Sequence, residues 1–191
     1  MKVKKYIVIL SFALAGCSPI DSLKPFDSEQ ADILLREHAV TRPARHRIAI
    51  KLPSKNTWKA IDLSRNKKGS PLLLIPRAND TTNWNESIRT FISPYRTYPD
   101  MTAQQLWQDK MKEAQIHCHH VTGHAIQTTT QSVYYVLREC DCQDGEDAVI
   151  YGKAFNGSDA VYLVYYTADV AHVAPAEISR LATAIKQASL V

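Results

Sequence analysis

The chain has 191 residues, 45% of them hydrophobic, and a formal charge of +4 from 23 Lys and Arg against 19 Asp and Glu. That apolar share excludes a disordered polymer, and the length suits one domain with a sizeable core. Three of the positive charges, Lys2, Lys4 and Lys5, lie at the extreme N-terminus, so the remainder is nearly neutral and lacks the basic excess of a nucleic-acid binder.

Behind those lysines an apolar run from Tyr6 to Ala15 closes on Leu14-Ala15-Gly16-Cys17. It is well short of the roughly 20 residues that a spanning helix needs. A charged start, a short apolar run and small residues before a cysteine make a secretory leader, and this one resembles the lipobox signals of bacterial lipoproteins. The resemblance implies cleavage after Gly16, a diacylglycerol on the Cys17 thiol and a palmitate-type acyl chain on its new amine. Residues 1–16 are then a signal peptide and the lipid bilayer is a partner through acylated Cys17. Several chains on one cysteine, at about 0.8 kcal/mol per buried methylene, hold where one alone would not. Removing 16 residues leaves 175 and takes the charge from +4 to +1. In such lipoproteins an Asp after the cysteine commonly retains the protein in the inner membrane. Ser18 stands there, which implies outer-membrane attachment facing the periplasm.

Residues 17–45 read as a lipidated tether, punctuated by Pro19, Pro25 and Pro43, with a short helix around Ile33, Leu34 and Leu35. A single α+β domain is expected over 46–191. It opens on a strand from Arg47 to Leu52 that alternates Ile48, Ile50 and Leu52 onto one face. Trp58–Leu63 gives a second strand, and a turn at Asn66-Lys67-Lys68-Gly69 leads to Leu72–Ile75, an apolar run expected to be central and covered on both faces. Ile88, Thr90 and Ile92 alternate before Pro94 and Pro99 end the strand.

Thr102-Ala103-Gln104-Gln105 has the spacing of a capping box, with Thr102 and Gln105 each satisfying a free backbone N–H. A helix to about Gln115 follows, its stripe formed by Ala103, Leu106, Trp107, Met111 and Ala114. Strands are expected over 118–130, 133–140, 148–155 and 160–167, with turns at Gln131-Ser132, Asp144-Gly145 and Asn156-Gly157. Connections this short make an antiparallel meander. Pro175 then opens a second helix whose apolar stripe, Ile178, Leu181, Ala182, Ile185 and Ala188, should cap the sheet.

The expected architecture is an antiparallel sheet of about six to seven strands with a central and a C-terminal helix packed on it. This order is similar to the PsbP-like fold of photosystem II PsbP proteins and of small bacterial lipoproteins such as DcrB and the LpqN type. The residues that carry the likeness are Leu52-Pro53, the Trp58 strand and Leu74-Ile75-Pro76 leading to Trp84, then helix, meander and terminal helix. That fold brings no fixed catalytic set to transfer.

His117, Cys118, His119, His120 and His124 form the densest group of potential metal ligands. On a strand Cys118, His120 and His124 would share one face, with His117 and His119 on the other. None of the spacings is a zinc signature, so no metal or other cofactor is expected, and these histidines are the candidates if one binds. With Cys17 acylated, Cys118, Cys140 and Cys142 remain in a compartment where disulfides persist. Cys118–Cys140 is the expected bridge because Cys140 ends the apolar strand, and Cys142 is the competing partner.

Charge is uneven. Between Arg36 and Arg77 there are eleven Lys or Arg against Glu37 and Asp62, whereas residues 139–147 hold five acids and no base. The first half is either a solvated surface or a face toward anionic headgroups near the tether. No G-x-S-x-G, phosphate loop or H-E-x-x-H is present. The expected function is a membrane-anchored periplasmic lipoprotein with a binding or structural role in the envelope, with an envelope protein as the prospective partner. The alternatives are an accessory subunit of an envelope or secretion machine, and a Cys/His-dependent enzyme or metal-binding protein.

Overall fold

The computed structural model describes residues 46–52, 58–62, 72–79, 84–142 and 147–191. The expected leader, the expected tether and short helix, and the expected turns at Asn66–Gly69 and Asp144–Gly145 lie outside them. The elements run β1 (Ile48–Ala49), β2 (Trp58–Asp62), β3 (Leu72–Pro76), β4 (Glu86–Pro94), α1 (Ala103–His117), β5 (Cys118–Thr128), β6 (Ser132–Cys142), β7 (Ala148–Asn156), β8 (Ala160–Asp169), α2 (Pro175–Gln187) and β9 (Ser189–Leu190). Seven strands form one antiparallel sheet in the order β2-β3-β4-β8-β7-β6-β5. The α+β architecture read from the sequence is the one observed. No helix among the described residues is long and apolar enough to cross a membrane.

Alternation divides the sheet into two faces, because successive side chains of a strand point to opposite sides. On β8, Tyr162, Val164, Tyr166 and Ala168 join a cluster with Leu181, Ala184 and Ile185 of α2. Val161 and Leu163 point the other way, to a cluster with Ala103, Leu106 and Trp107 of α1. The helices therefore cover opposite faces, and each buries the stripe its sequence predicts. Two side chains of the sheet hold α2 in place: Tyr134 Oη donates to the Ala182 carbonyl at 3.2 Å, and Lys153 Nζ donates to the carbonyls of Lys186 and Ala188 at 2.7 and 2.6 Å. A lysine at the last carbonyls of a helix also meets the negative end of its dipole.

Three local expectations are corrected. Ile48, Ile50 and Leu52 are buried on one face as expected, but the strand is only Ile48–Ala49 and pairs with β9 in a separate two-stranded sheet. Its partner comes from the far end of the chain, which local alternation does not encode. Leu72–Ile75 is covered on both faces, yet β3 is second from the sheet edge rather than central. Thr102 Oγ1 accepts the Gln105 N–H at 3.0 Å, but the Gln105 amide turns down the helix to donate to Asp109 Oδ1 at 2.9 Å, so the reciprocal half of the box is not made.

At the edge of the α2 face, Tyr166 Oη donates to Glu86 Oε2 at 2.7 Å. Partial burial raises the Glu86 carboxyl above its ordinary value of 4.5, against the lowering effects of that hydrogen bond and of Arg180. Glu86 is thus protonated more readily folded than unfolded. Its contribution to stability is complete below about pH 4.5 and is lost as pH rises through the elevated folded value. Glu86→Gln should remove this fall from the pH profile of urea midpoints. An unchanged profile would show that the group titrates alike in both states.

Candidate functional site

The face under α1 holds a cleft with both aromatic and charged lining. The helix begins close to the sheet, because Asn156 Oδ1 accepts the Ala103 N–H at 2.7 Å while Asn156 Nδ2 donates to the Thr130 carbonyl at 3.0 Å. Trp107 then lies on Tyr135 with ring centroids 4.7 Å apart. This approach is possible because glycines face the rings: a Cβ on Gly152 would fall 2.2 Å from Tyr135 Cζ, and one on Gly123 would fall 3.1 Å from Trp107 Cη2. One turn further on, the inner face of the helix changes character. Lys110, Glu113 and His117 join Ala114 along a cleft of about 470 Å³.

The floor of the cleft is Tyr135, Leu137, Ile150, Tyr165 and Thr167, with Arg89 of β4 at one flank and Glu139, Cys118 and Cys142 at the other. Lys110 Nζ bonds Glu113 Oε2 at 2.6 Å and lies 5.9 Å from the centre of the Tyr165 ring. Burial pushes the Tyr135 hydroxyl far above the ordinary tyrosine range, helped by Tyr165, Glu113 and Glu139, so Tyr135 stays a neutral phenol. Arg89 Nε is buried without a hydrogen-bond partner. A lining that is both aromatic and charged suits recognition of a small polar molecule.

The expected Cys118–Cys140 bridge is corrected. Cys118 is bonded to Cys142, and Cys140 is free and exposed. Register decides the pairing: β5 and β6 run from Thr128↔Val133 through a one-residue shift between Ala125 and Gln127, which sets Cys118 opposite Cys142 and His120 opposite Cys140. A bulge of this kind re-aims every pair beyond it. Asp141, at φ 56°, turns the strand end before Cys142, and its N–H is held by Asp147 Oδ1 at 2.9 Å.

The histidines are dispersed. His117 is the last residue of α1 rather than part of a strand and lines the cleft, while His119, His120 and His124 are exposed on β5. Among the described residues, the group of three potential ligands within 4.8 Å of one another is Cys118, Glu139 and Cys142, and its two sulfurs are bonded to each other. The fold therefore does not bring His117, His119, His120 and His124 together as a metal centre. Cys17 lies outside the described residues.

The cleft residues escaped sequence reading because Arg89, Glu113 and Glu139 come from three distant elements. A partial signal was present. Lys110, Glu113 and His117 continue the same helical face as Ala103 and Trp107, so the stripe turns charged in its second half.

No protein-family model matches the chain, and no curated protein matches it. Among solved structures the chain is similar to LpqN of Mycobacterium tuberculosis, a protein described as involved in cell envelope biogenesis, at 12% identity over 87% of this chain and 98% of that one, with a TM-score of 0.47. It is also similar to CyanoP, the cyanobacterial PsbP of Synechocystis, at 14% identity over 93% of this chain and 98% of that one, with a TM-score of 0.45. The architecture above rests on this chain's own strand order and helix placement.

Proposed function

We propose that the chain is a lipid-anchored lipoprotein of the bacterial cell envelope whose folded part serves as a binding module, attached through Cys17 to the outer membrane and facing the periplasm. The observation that carries this reading is the Cys118–Cys142 disulfide. Disulfides belong to oxidising export compartments, and the leader ending in Leu14-Ala15-Gly16-Cys17 is the matching address. The cleft under α1 supports binding over a purely structural role, since a packed scaffold has no use for a charged hollow between helix and sheet.

Growth with a fatty-acid analogue should label the natural chain and leave Cys17→Ala unlabelled, with the labelled species in the outer-membrane fraction. Label on the Ala variant would overturn the anchor. Recovery of the natural chain in the inner membrane would overturn the address drawn from Ser18.

A further inference from the structure

Arg89 is the group in the cleft that most needs a partner. It enters from β4 opposite Leu73 and Tyr165, and its Nε is buried without a hydrogen bond. A buried donor on a permanently charged group costs more to leave unmade than a neutral one. Lys110, the neighbouring cation, is already committed to Glu113. The anionic corner is elsewhere. Following the pairs Arg89↔Tyr165, Tyr165↔Gly152 and Gly152↔Tyr135 crosses to β6, and Glu139 lies four residues further along that strand. There the Glu139 carboxylate is within 4.8 Å of both disulfide sulfurs.

Two fixed cations, Arg89 and Lys110, balance two carboxylates, Glu113 and Glu139, so the lining carries no formal charge but is polarised from corner to corner. A polyanion entering to meet Arg89 would also meet the carboxylates. An apolar molecule would seal Arg89 away from water unpaired. A molecule of zero net charge with its own separated charges satisfies both ends.

We infer that the cleft binds a short peptide-like zwitterion, its carboxylate on Arg89 and its ammonium toward Glu139. The inference rests on the binding part of the proposed function and is independent of the anchor. The volume of about 470 Å³ falls within the roughly 300–1,000 Å³ of small-molecule sites. Arg89 offers a planar fork to a carboxylate, the Tyr165 and Tyr135 rings provide an apolar floor, and a carboxylate such as Glu139, with about four acceptor positions, takes an ammonium in addition to the contacts it already has.

The test is calorimetric titration of the full chain, purified in detergent, with trialanine, trialanine amide, N-acetyl-trialanine and inorganic phosphate. Trialanine should bind saturably, and the amide and the N-acetyl form should each bind at least about tenfold more weakly, the scale of a lost charge-assisted hydrogen bond. Arg89→Gln should weaken trialanine by about the same factor and abolish its advantage over the amide, with Arg89→Lys intermediate. Glu139→Gln, at a half-buried residue of the lining, should abolish the advantage over the N-acetyl form, and it decides the question if Arg89→Gln does not fold. The inference is overturned by no saturable binding up to about 10 mM trialanine, by an amide that binds as well, or by phosphate binding more tightly. Silence toward trialanine together with Cys17-dependent labelling would sink the site and leave the anchor standing.

Discussion

Trp107→Ala is expected to destabilise the protein by about 3–5 kcal/mol, the usual cost of emptying a large aromatic site in a core. Trp107 is 7% exposed and packs at a tilt on Tyr135, which is 1% exposed, so the indole fills space between α1 and the sheet. Gly152→Ala attacks the same contact from the other side. The added Cβ would meet Cζ, Oη and Cε1 of Tyr135 at 2.2–2.6 Å, and a ring enclosed by Trp107 has nowhere to move. Overpacking of this kind costs about 1–3 kcal/mol. The two changes share one contact, so their effects should be less than additive. Urea unfolding of the two single variants and the double variant measures all three. A cost below about 1 kcal/mol for Trp107→Ala would mean that the helix does not depend on this ring. The same cluster sets the shape of the cleft, because it clamps the first half of α1 and leaves the second half over open floor.

What could be read from the sequence was whatever repeats over short range. The alternation of Tyr162, Val164, Tyr166 and Ala168 against Val161 and Leu163, and the helical stripe through Leu181 and Ile185, each need one face and one partner surface, and the fold supplies both. The misses share a physical origin in contacts between distant segments. The alternation of Ile48, Ile50 and Leu52 assigns a buried face but says nothing of Ser189 and Leu190, the residues that pair with the start of that segment. Gln105 had two neighbours within reach, and Asp109 one helical turn on competed successfully against the Thr102 N–H. The site itself was the least legible part, since Arg89 joins Lys110 and Glu139 only after β4, α1 and β6 have been brought together.

The cysteines give the last large effect. Cys118 starts β5, which among the described residues is an edge strand paired with β6 alone, so the bond to Cys142 fastens the beginning of that edge strand. The sequence separation of 24 residues corresponds, in the chain-entropy treatment, to about 3 kcal/mol. In a Cys140→Ser background, which removes the exposed thiol and any chance of exchange, Cys142→Ser should therefore lower stability by about that amount. Cys140→Ser alone should change stability by no more than about 0.5 kcal/mol, as surface substitutions do. Denaturant titration of the three forms gives the energies, and alkylation before reduction should mark Cys140 among the three cysteines. A Cys118–Cys140 peptide as the main non-reduced species would contradict the register that sets Cys118 against Cys142. A cost for Cys140→Ser equal to that of the bridge variant would contradict it as well. If the bridge behaves as expected, its loss should also disturb the cleft, since both sulfurs lie within 4.8 Å of the Glu139 carboxylate at the corner assigned to the ammonium. The bridge variant should then lose trialanine affinity even where it remains folded.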